Sequence, residues 1–163
     1  MKERSPLRNE PTRDPDRRIV VLVVDDDSAI RGLARRVLEE NGHTVLEAKD
    51  GLEGLDIFRG DPHRFHAVLL DLEMPRMNGI DAFREMRAIR TDIPVIVASG
   101  HAPEEYEHRL PVGDLAGVLR KPFGLDELLS AVGRCVPGGG ISANHVERAG
   151  IQRGRGELFG NAT

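Results

Sequence analysis

Cysteine occurs once in the 163 residues, at position 135, tyrosine occurs once, and tryptophan is missing. A single thiol cannot close an internal disulfide, and no ligand spacing resembles a zinc site, so stapled scaffolds are excluded and a reducing, cytoplasmic setting is expected. Long hydrophobic runs are lacking too. The longest, Ile19–Val24, has six residues, against the roughly 20 that span a bilayer, so membrane insertion is not expected. The opening Met-Lys-Glu-Arg-Ser-Pro leads into further charge, and no secretory signal is expected. What is present is 39% apolar and 31% charged, enough to build a core. The length suits one domain of about 100–150 residues with arms.

Composition divides the chain in three. Residues 1–18 carry three prolines and ten charges with almost nothing to bury, which predicts a solvated arm. From Pro137 a Gly138-Gly139-Gly140 run opens a glycine-rich, polar stretch to residue 163, read as a flexible tail with no output domain. The folded unit is expected over 19–136. It holds 14 basic residues against 21 acidic ones, whereas the arms are net basic. An acidic unit argues against nucleic acid, whose phosphates must be met by clustered cations.

Within 19–136 short apolar runs alternate with amphipathic stretches. Ile19–Val24 is β-branched and continuous, as in a strand buried on both faces. Ile30, Leu33, Ala34, Val37 and Leu38 then form a helical stripe, with Ser28 as its expected cap and Asn41-Gly42 as its end. Further strands are predicted at His43–Ala48, Ala67–Leu70, Pro94–Ala98 and Ala116–Arg120. Helices are expected after Asp50-Gly-Leu-Glu53, around Ile80–Met86, weakly near Pro103–Leu110, and over Leu125–Val136. Five strand–helix units in strict alternation imply a parallel sheet with right-handed crossovers and helices on both faces. Sites in such sheets form at the carboxyl ends of the strands.

Those ends are where the polar residues fall. The first strand runs into Asp25-Asp26-Asp27, the third into Asp71, the fourth into Ser99, and the fifth into Lys121-Pro122. Each alone is an ordinary turn former or strand end; their conjunction on one edge is the signal. Converging carboxylates repel, so a cation must lie among them. The candidates are the Lys121 ammonium and a divalent ion, with Mg²⁺ the best fit because it is a hard ion held by a few carboxylates, water and phosphate oxygens. Asp71 is then free to attack a phosphoryl group, while the metal, Lys121 and the Ser99 hydroxyl spread charge over its oxygens.

The segments Val-Leu-Val-Val-Asp25-Asp26-Asp-Ser, Leu-Leu-Asp71-Leu-Glu-Met-Pro-Arg-Met-Asn-Gly79, Ala-Ser99-Gly100 and Leu-Arg-Lys121-Pro-Phe123 together resemble the receiver domain of two-component response regulators. The resemblance covers about 19–136. It implies a flavodoxin-like (βα)5 three-layer sandwich with strand order 2-1-3-4-5. It further implies phosphorylation of Asp71, direct Mg²⁺ binding by Asp26 with Asp25 acting through water, and a further metal ligand in the Glu73 backbone carbonyl. Ser99 would be the switch hydroxyl, Lys121 its charge partner, and the Lys121–Pro122 peptide cis. The implied donor is a histidine kinase or histidine phosphotransfer protein. The implied recipient is a downstream protein target, and a homodimer through the fourth helix, fifth strand and fifth helix is the implied assembly.

One position departs from the family pattern. Receivers usually carry an aromatic three residues before the lysine, where this chain has Val118. The expected consequence is signalling by backbone and loop rearrangement on that face. Glu73 and His101 sit two residues beyond Asp71 and Ser99, where side chains either flank the path of an attacking water or are exposed polar loop residues; Tyr106 falls in the weak helix, which leaves a role on the output face open without requiring it, and Cys135 is expected to be packing. A Mg²⁺-dependent phosphohydrolase of the haloacid dehalogenase kind would also use an aspartate nucleophile. It needs an Asp where Glu73 stands, and a cap domain. A degenerate receiver acting only as a binding module would not need the intact acidic set.

Overall fold

The computed structural model describes residues 18–136, so the arm, apart from Arg18, and the glycine-rich tail over 137–163 lie outside the described residues. Five strands are present: β1 (Val20–Val24), β2 (Thr44–Ala48), β3 (Ala67–Asp71), β4 (Val95–Ser99) and β5 (Gly117–Arg120). All neighbours pair in parallel, in the order β2-β1-β3-β4-β5. Every residue of β3 and β4 is buried, as continuous apolar runs between two helical layers require.

The period-two alternation of the strands sorts the core into two halves. Leu22, Val24, Val68, Leu70, Val95 and Val97 pack against Leu55 and Phe58 of α2 (Gly51–Gly60) and Ile80, Phe83 and Met86 of α3 (Gly79–Ile89). Val21, Val23, Leu69, Ile96 and Leu119 face Ala34, Val37 and Leu38 of α1 (Ser28–Glu40) and Leu128, Ala131 and Val132 of α4 (Leu125–Gly133). This is the expected three-layer, flavodoxin-like sandwich, with the expected strand order.

Local chemistry sets the helix ends, with one correction. Ser28 is already helical. The cap is Asp27, whose extended backbone lets Oδ1 accept from Ala29 N at 2.8 Å and Ile30 N at 3.4 Å. At the far end Gly42 takes φ +86°, the left-handed turn that glycine accommodates at no steric cost. Asp50 caps α2 by accepting from Glu53 N at 2.9 Å, and Glu53 reaches back to Lys49 N at 2.8 Å.

The second correction concerns the expected helix near Pro103–Leu110. It is replaced by two short 3-10 turns, Pro103–Glu105 and Val112–Asp114, leaving four α-helices among the described residues. Pro111 lacks an N–H and its ring opposes the carbonyl four residues earlier, so the one α-type bond, Leu110 N to Tyr106 O at 3.0 Å, is not propagated. The segment is fastened from elsewhere. Tyr106 and Leu110 are buried in the α2–α3 half of the core. Arg84 of α3 donates to Arg109 O at 3.1 Å, and Arg87 donates to Asp114 O. The surface expected to mediate a homodimer therefore has no fourth helix and consists of turns, β5 and α4.

Candidate functional site

In-register pairing brings the strand ends level: Val24 pairs with Ala48 and with Leu70, Asp71 with Ala98, and Ser99 with Arg120. The residue at each end therefore projects at one edge. Asp25, Asp71 and Ser99 are each at least 97% buried, while Asp26 is exposed. Carboxylate oxygens of Asp25, Asp26 and Asp71 lie within 4.8 Å of one another. Lys121 reaches in after β5, its Nζ 2.7 Å from Asp25 Oδ2 and 3.2 Å from Asp71 Oδ1. The Lys121–Pro122 peptide is cis.

The loops that hold this cluster are tightly specified. Asp25 Oδ1 accepts from Asp27 N at 2.9 Å, and Arg31 Nη1 donates to the carbonyls of Asp25 at 2.7 Å and Asp26 at 3.1 Å. After β3 the chain folds back so closely that a Cβ on Gly79 would stand 2.1 Å from Asp71 O. Only glycine permits that approach. Arg76 sits in the same loop at φ +68°, tied by Nη1 to the buried Asp50 carboxylate at 2.8 Å.

Burial pushes the Asp71 carboxyl up to about 6 from 3.8, helped by the nearby Asp25 charge. The Glu73 amide at 3.2 Å and the Lys121 ammonium oppose that rise. For Lys121 burial acts downward, yet its bonds to Asp25 and Asp71 prevail and hold its pKa above the ordinary lysine value. The ammonium stays charged.

Ser99 Oγ donates to Glu73 Oε1 at 3.3 Å, while accepting from His101 N at 3.0 Å. His101 Nδ1 contacts the same Glu73 oxygen, and Nε2 lies 3.8 Å from Glu105. The hydrogen bond to Glu73, then the two acidic charges, raise the His101 pKa. Glu73 therefore spends its carboxylate on Ser99 and His101, and offers the acidic edge its main chain. The structure thus brings Asp25, Asp26, Asp71 and Lys121 together, with Glu73 and Ser99 adjoining them. Val118 is 37% exposed on β5. Cys135 packs beside α4, where burial raises its thiol to about 11.

Three contributors were not visible as such in the sequence. Arg31 could have been found from its place one turn after Asp27, but the Asp50–Arg76 pair spans 26 residues and had no local signal. Tyr106, whose place in the sequence left an output-face role open, is 4% exposed, inside the core.

The family model for the response regulator receiver domain matches residues 21–133. The chain belongs to that family. Response regulator MprA of Mycolicibacterium vanbaalenii is 41% identical to this receiver over 112 residues, which cover 68% of this chain and 47% of that protein. A receiver domain protein from Clostridium thermocellum superposes with a TM-score of 0.68 at 30% identity, covering 73% of this chain and 94% of that one. Response regulator TrrA of Thermotoga maritima, solved in complex with Mg²⁺ and beryllofluoride, gives 0.64 at 30% identity over 72% and 99% of the two chains. The receiver spans about half the length of the curated relatives it matches. The expectation against nucleic acid was read from the charge of residues 19–136 alone and carries no weight for the remaining length of those relatives. No helix among the described residues is long and apolar enough to cross a membrane.

Proposed function

We infer that this receiver is the phosphoacceptor of a two-component relay, taking a phosphoryl group from a phosphohistidine onto Asp71 and thereby switching a protein-binding surface. The observation that carries this reading is the buried Asp71 carboxylate, set among Asp25, Asp26 and the Lys121 ammonium. An Asp71 oxygen attacks phosphorus, the P–N bond breaks, and the imidazole nitrogen of the donor leaves with the electron pair and takes up a proton. With the carboxyl near 6, most of Asp71 is the anionic nucleophile at neutral pH.

The all-oxygen donor set suits a hard divalent ion. Asp26 and Asp71, with the Glu73 carbonyl, would hold Mg²⁺ directly and Asp25 would hold it through water. Bound there, the ion supplies charge neutralisation for the phosphoryl oxygens. Lys121, bonded to Asp25 and Asp71, adds a second cation at this edge, and Ser99 would leave Glu73 to donate to the phosphoryl group. Moving a two-state balance from 1:99 to 99:1 takes about 5.5 kcal/mol. A buried dianion meeting a metal ion, a lysine and a hydroxyl is of that order.

The phosphoryl donor is a histidine kinase or histidine phosphotransfer protein, the setting cytoplasmic, and the recipient a downstream protein, with the β5–α4 face and adjoining turns as the surface for it or for a second copy. The receiver turns over no metabolite beyond its own phosphotransfer and dephosphorylation. A phosphohydrolase is disfavoured because Glu73, at the position of that family's acid–base, is engaged by Ser99 and His101. Incubation with acetyl phosphate and Mg²⁺, followed by intact mass, tests the reading. One acid-stable, hydroxylamine-sensitive phosphoryl group per chain is expected, lost in Asp71→Asn. Full labelling of that variant overturns the assignment.

A further inference from the structure

Asp25 and Asp71 are aimed by bonds to their own carboxylates, from Asp27 N, Glu73 N and Lys121. Asp26 is different. It is exposed, and among the described residues none donates a hydrogen bond to its carboxylate. What directs that carboxylate is the backbone. One nitrogen of Arg31, Nη1, donates to Asp25 O at 2.7 Å and to Asp26 O at 3.1 Å. Those two carbonyls belong to the peptide planes on either side of the Asp26 Cα. A residue has only two soft backbone dihedrals, and pinning both flanking planes to one nitrogen fixes both. The second plane is held at its other end as well, since Asp27 N donates to Asp25 Oδ1 at 2.9 Å. The Cα–Cβ bond of Asp26 is left with one direction.

Arg31 is itself anchored. Its side chain is 17% exposed, and its Nε lies 3.7 Å from Glu47 Oε1 on β2. Arg35, one turn further along α1, holds the other oxygen of Glu47 at 3.1 Å. The guanidinium is thus braced against β2 while it grips the end of β1. We propose that Arg31 is a positioning residue for the divalent ion, holding the Asp25 and Asp26 carbonyls so that the Asp26 carboxylate is a rigid ligand, with Glu47 as its brace. This rests on the phosphoacceptor reading, in which Asp26 is a direct ligand, and adds what makes that ligand selective. Groups standing behind a ligand commonly change metal affinity by about 10–100-fold. Mg²⁺ demands a near-ideal octahedron, whereas Ca²⁺ accepts looser and more variable geometry. A rigid Asp26 therefore favours Mg²⁺. The charge of Arg31 works in the opposite sense, because a cation beside the acidic edge repels a second one. Geometry and charge predict opposite signs for its removal.

Mg²⁺ and Ca²⁺ titrations of the full chain, followed by amide chemical shifts, separate the two. Arg31→Met keeps an unbranched apolar stem and removes the guanidinium. It is expected to weaken Mg²⁺ binding by about tenfold or more, while Ca²⁺ binding changes by less than about threefold. In chelator the Asp27 amide of this variant should exchange with solvent about tenfold faster, because its peptide plane is then held from one end only. Arg31→Lys keeps the charge without the planar fork and should recover part of the Mg²⁺ affinity. Arg36→Met removes a charge from the exposed side of α1, where Arg36 pairs with Glu40, and should leave both affinities within about twofold of wild type. Should Arg31→Met fail to fold, Glu47→Gln gives the same reading at smaller size, with Mg²⁺ weakened by about threefold. Mg²⁺ binding by folded Arg31→Met as tight as in wild type, or tighter, overturns the positioning role alone. So does an equal loss for both ions, or unchanged Mg²⁺ binding in Glu47→Gln. Absence of saturable Mg²⁺ binding by wild type overturns the phosphoacceptor reading and takes the role of Arg31 with it.

Discussion

Replacing Asp71 with Asn should stabilise the metal-free protein, and by an amount that depends on pH. The carboxyl is raised from 3.8 to about 6, chiefly by burial. A group whose pKa rises on folding favours the folded state fully below its unfolded pKa, and that contribution is lost as pH climbs through the folded pKa. Two pKa units correspond to about 3 kcal/mol. Wild type at pH 8 therefore carries about 3 kcal/mol of strain from holding the ionised carboxylate in place, and at pH below about 4 it carries almost none. Asn has nearly the same shape and no charge. Urea unfolding in chelator should show Asp71→Asn more stable by up to about 3 kcal/mol at pH 8, with an unchanged denaturant slope and a gap closing as pH falls through 6 to 4. Millimolar Mg²⁺ should narrow the gap at pH 8 by stabilising wild type through binding. A variant less stable than wild type at pH 8, or a gap that does not vary with pH, would refute the account of Asp71 as a desolvated anion.

Three further outcomes follow from the same geometry. Lys121→Ala removes the ammonium from two buried carboxylates and should cost about 2–3 kcal/mol in chelator at pH 8, partly recovered by Mg²⁺, as read from urea midpoints; phosphoryl incorporation should persist at a lower level, without the spectral response of the β5–α4 face. Arg76→Ala leaves Asp50 buried with Glu53 N as its remaining bond and should cost about 1–2 kcal/mol, whereas Arg76→Gly should cost about 1 kcal/mol less because glycine adopts φ +68° without strain. Gly79→Ala would place a methyl 2.1 Å from Asp71 O, and thermal unfolding should show a loss of about 2 kcal/mol or more together with weaker Mg²⁺ binding.

The sheet was legible because its signal is local and redundant. Five short apolar runs separated by helical stripes admit few topologies once handedness is imposed, and each strand's alternation already sorts its side chains to one helical layer or the other. The polar strand ends were legible for the same reason, since parallel strands must bring them to one edge. The Ser28 cap was misread because Asp27 and Ser28 are both good cap residues and only backbone dihedrals decide between them. The helix expected near Pro103–Leu110 failed on a competition that residue pattern does not resolve. Tyr106 and Leu110 do point into the core one turn apart, but Pro111 ends propagation and the α3 arginines supply the remaining anchorage.

Sequence alone therefore determined the alternation, the parallel sheet and the acidic edge with its lysine, because these follow from periodicities and end residues within single segments. Tertiary structure decided that the Ser99 hydroxyl and His101 both meet Glu73, that Asp50 anchors Arg76, and that Tyr106 is buried with its hydroxyl unpaired among the described residues. Each of those depends on the distance between groups brought together by different crossovers. Spacing along the chain says nothing of such distances, because loop closure costs so little per added residue that many separations are compatible with the same contact.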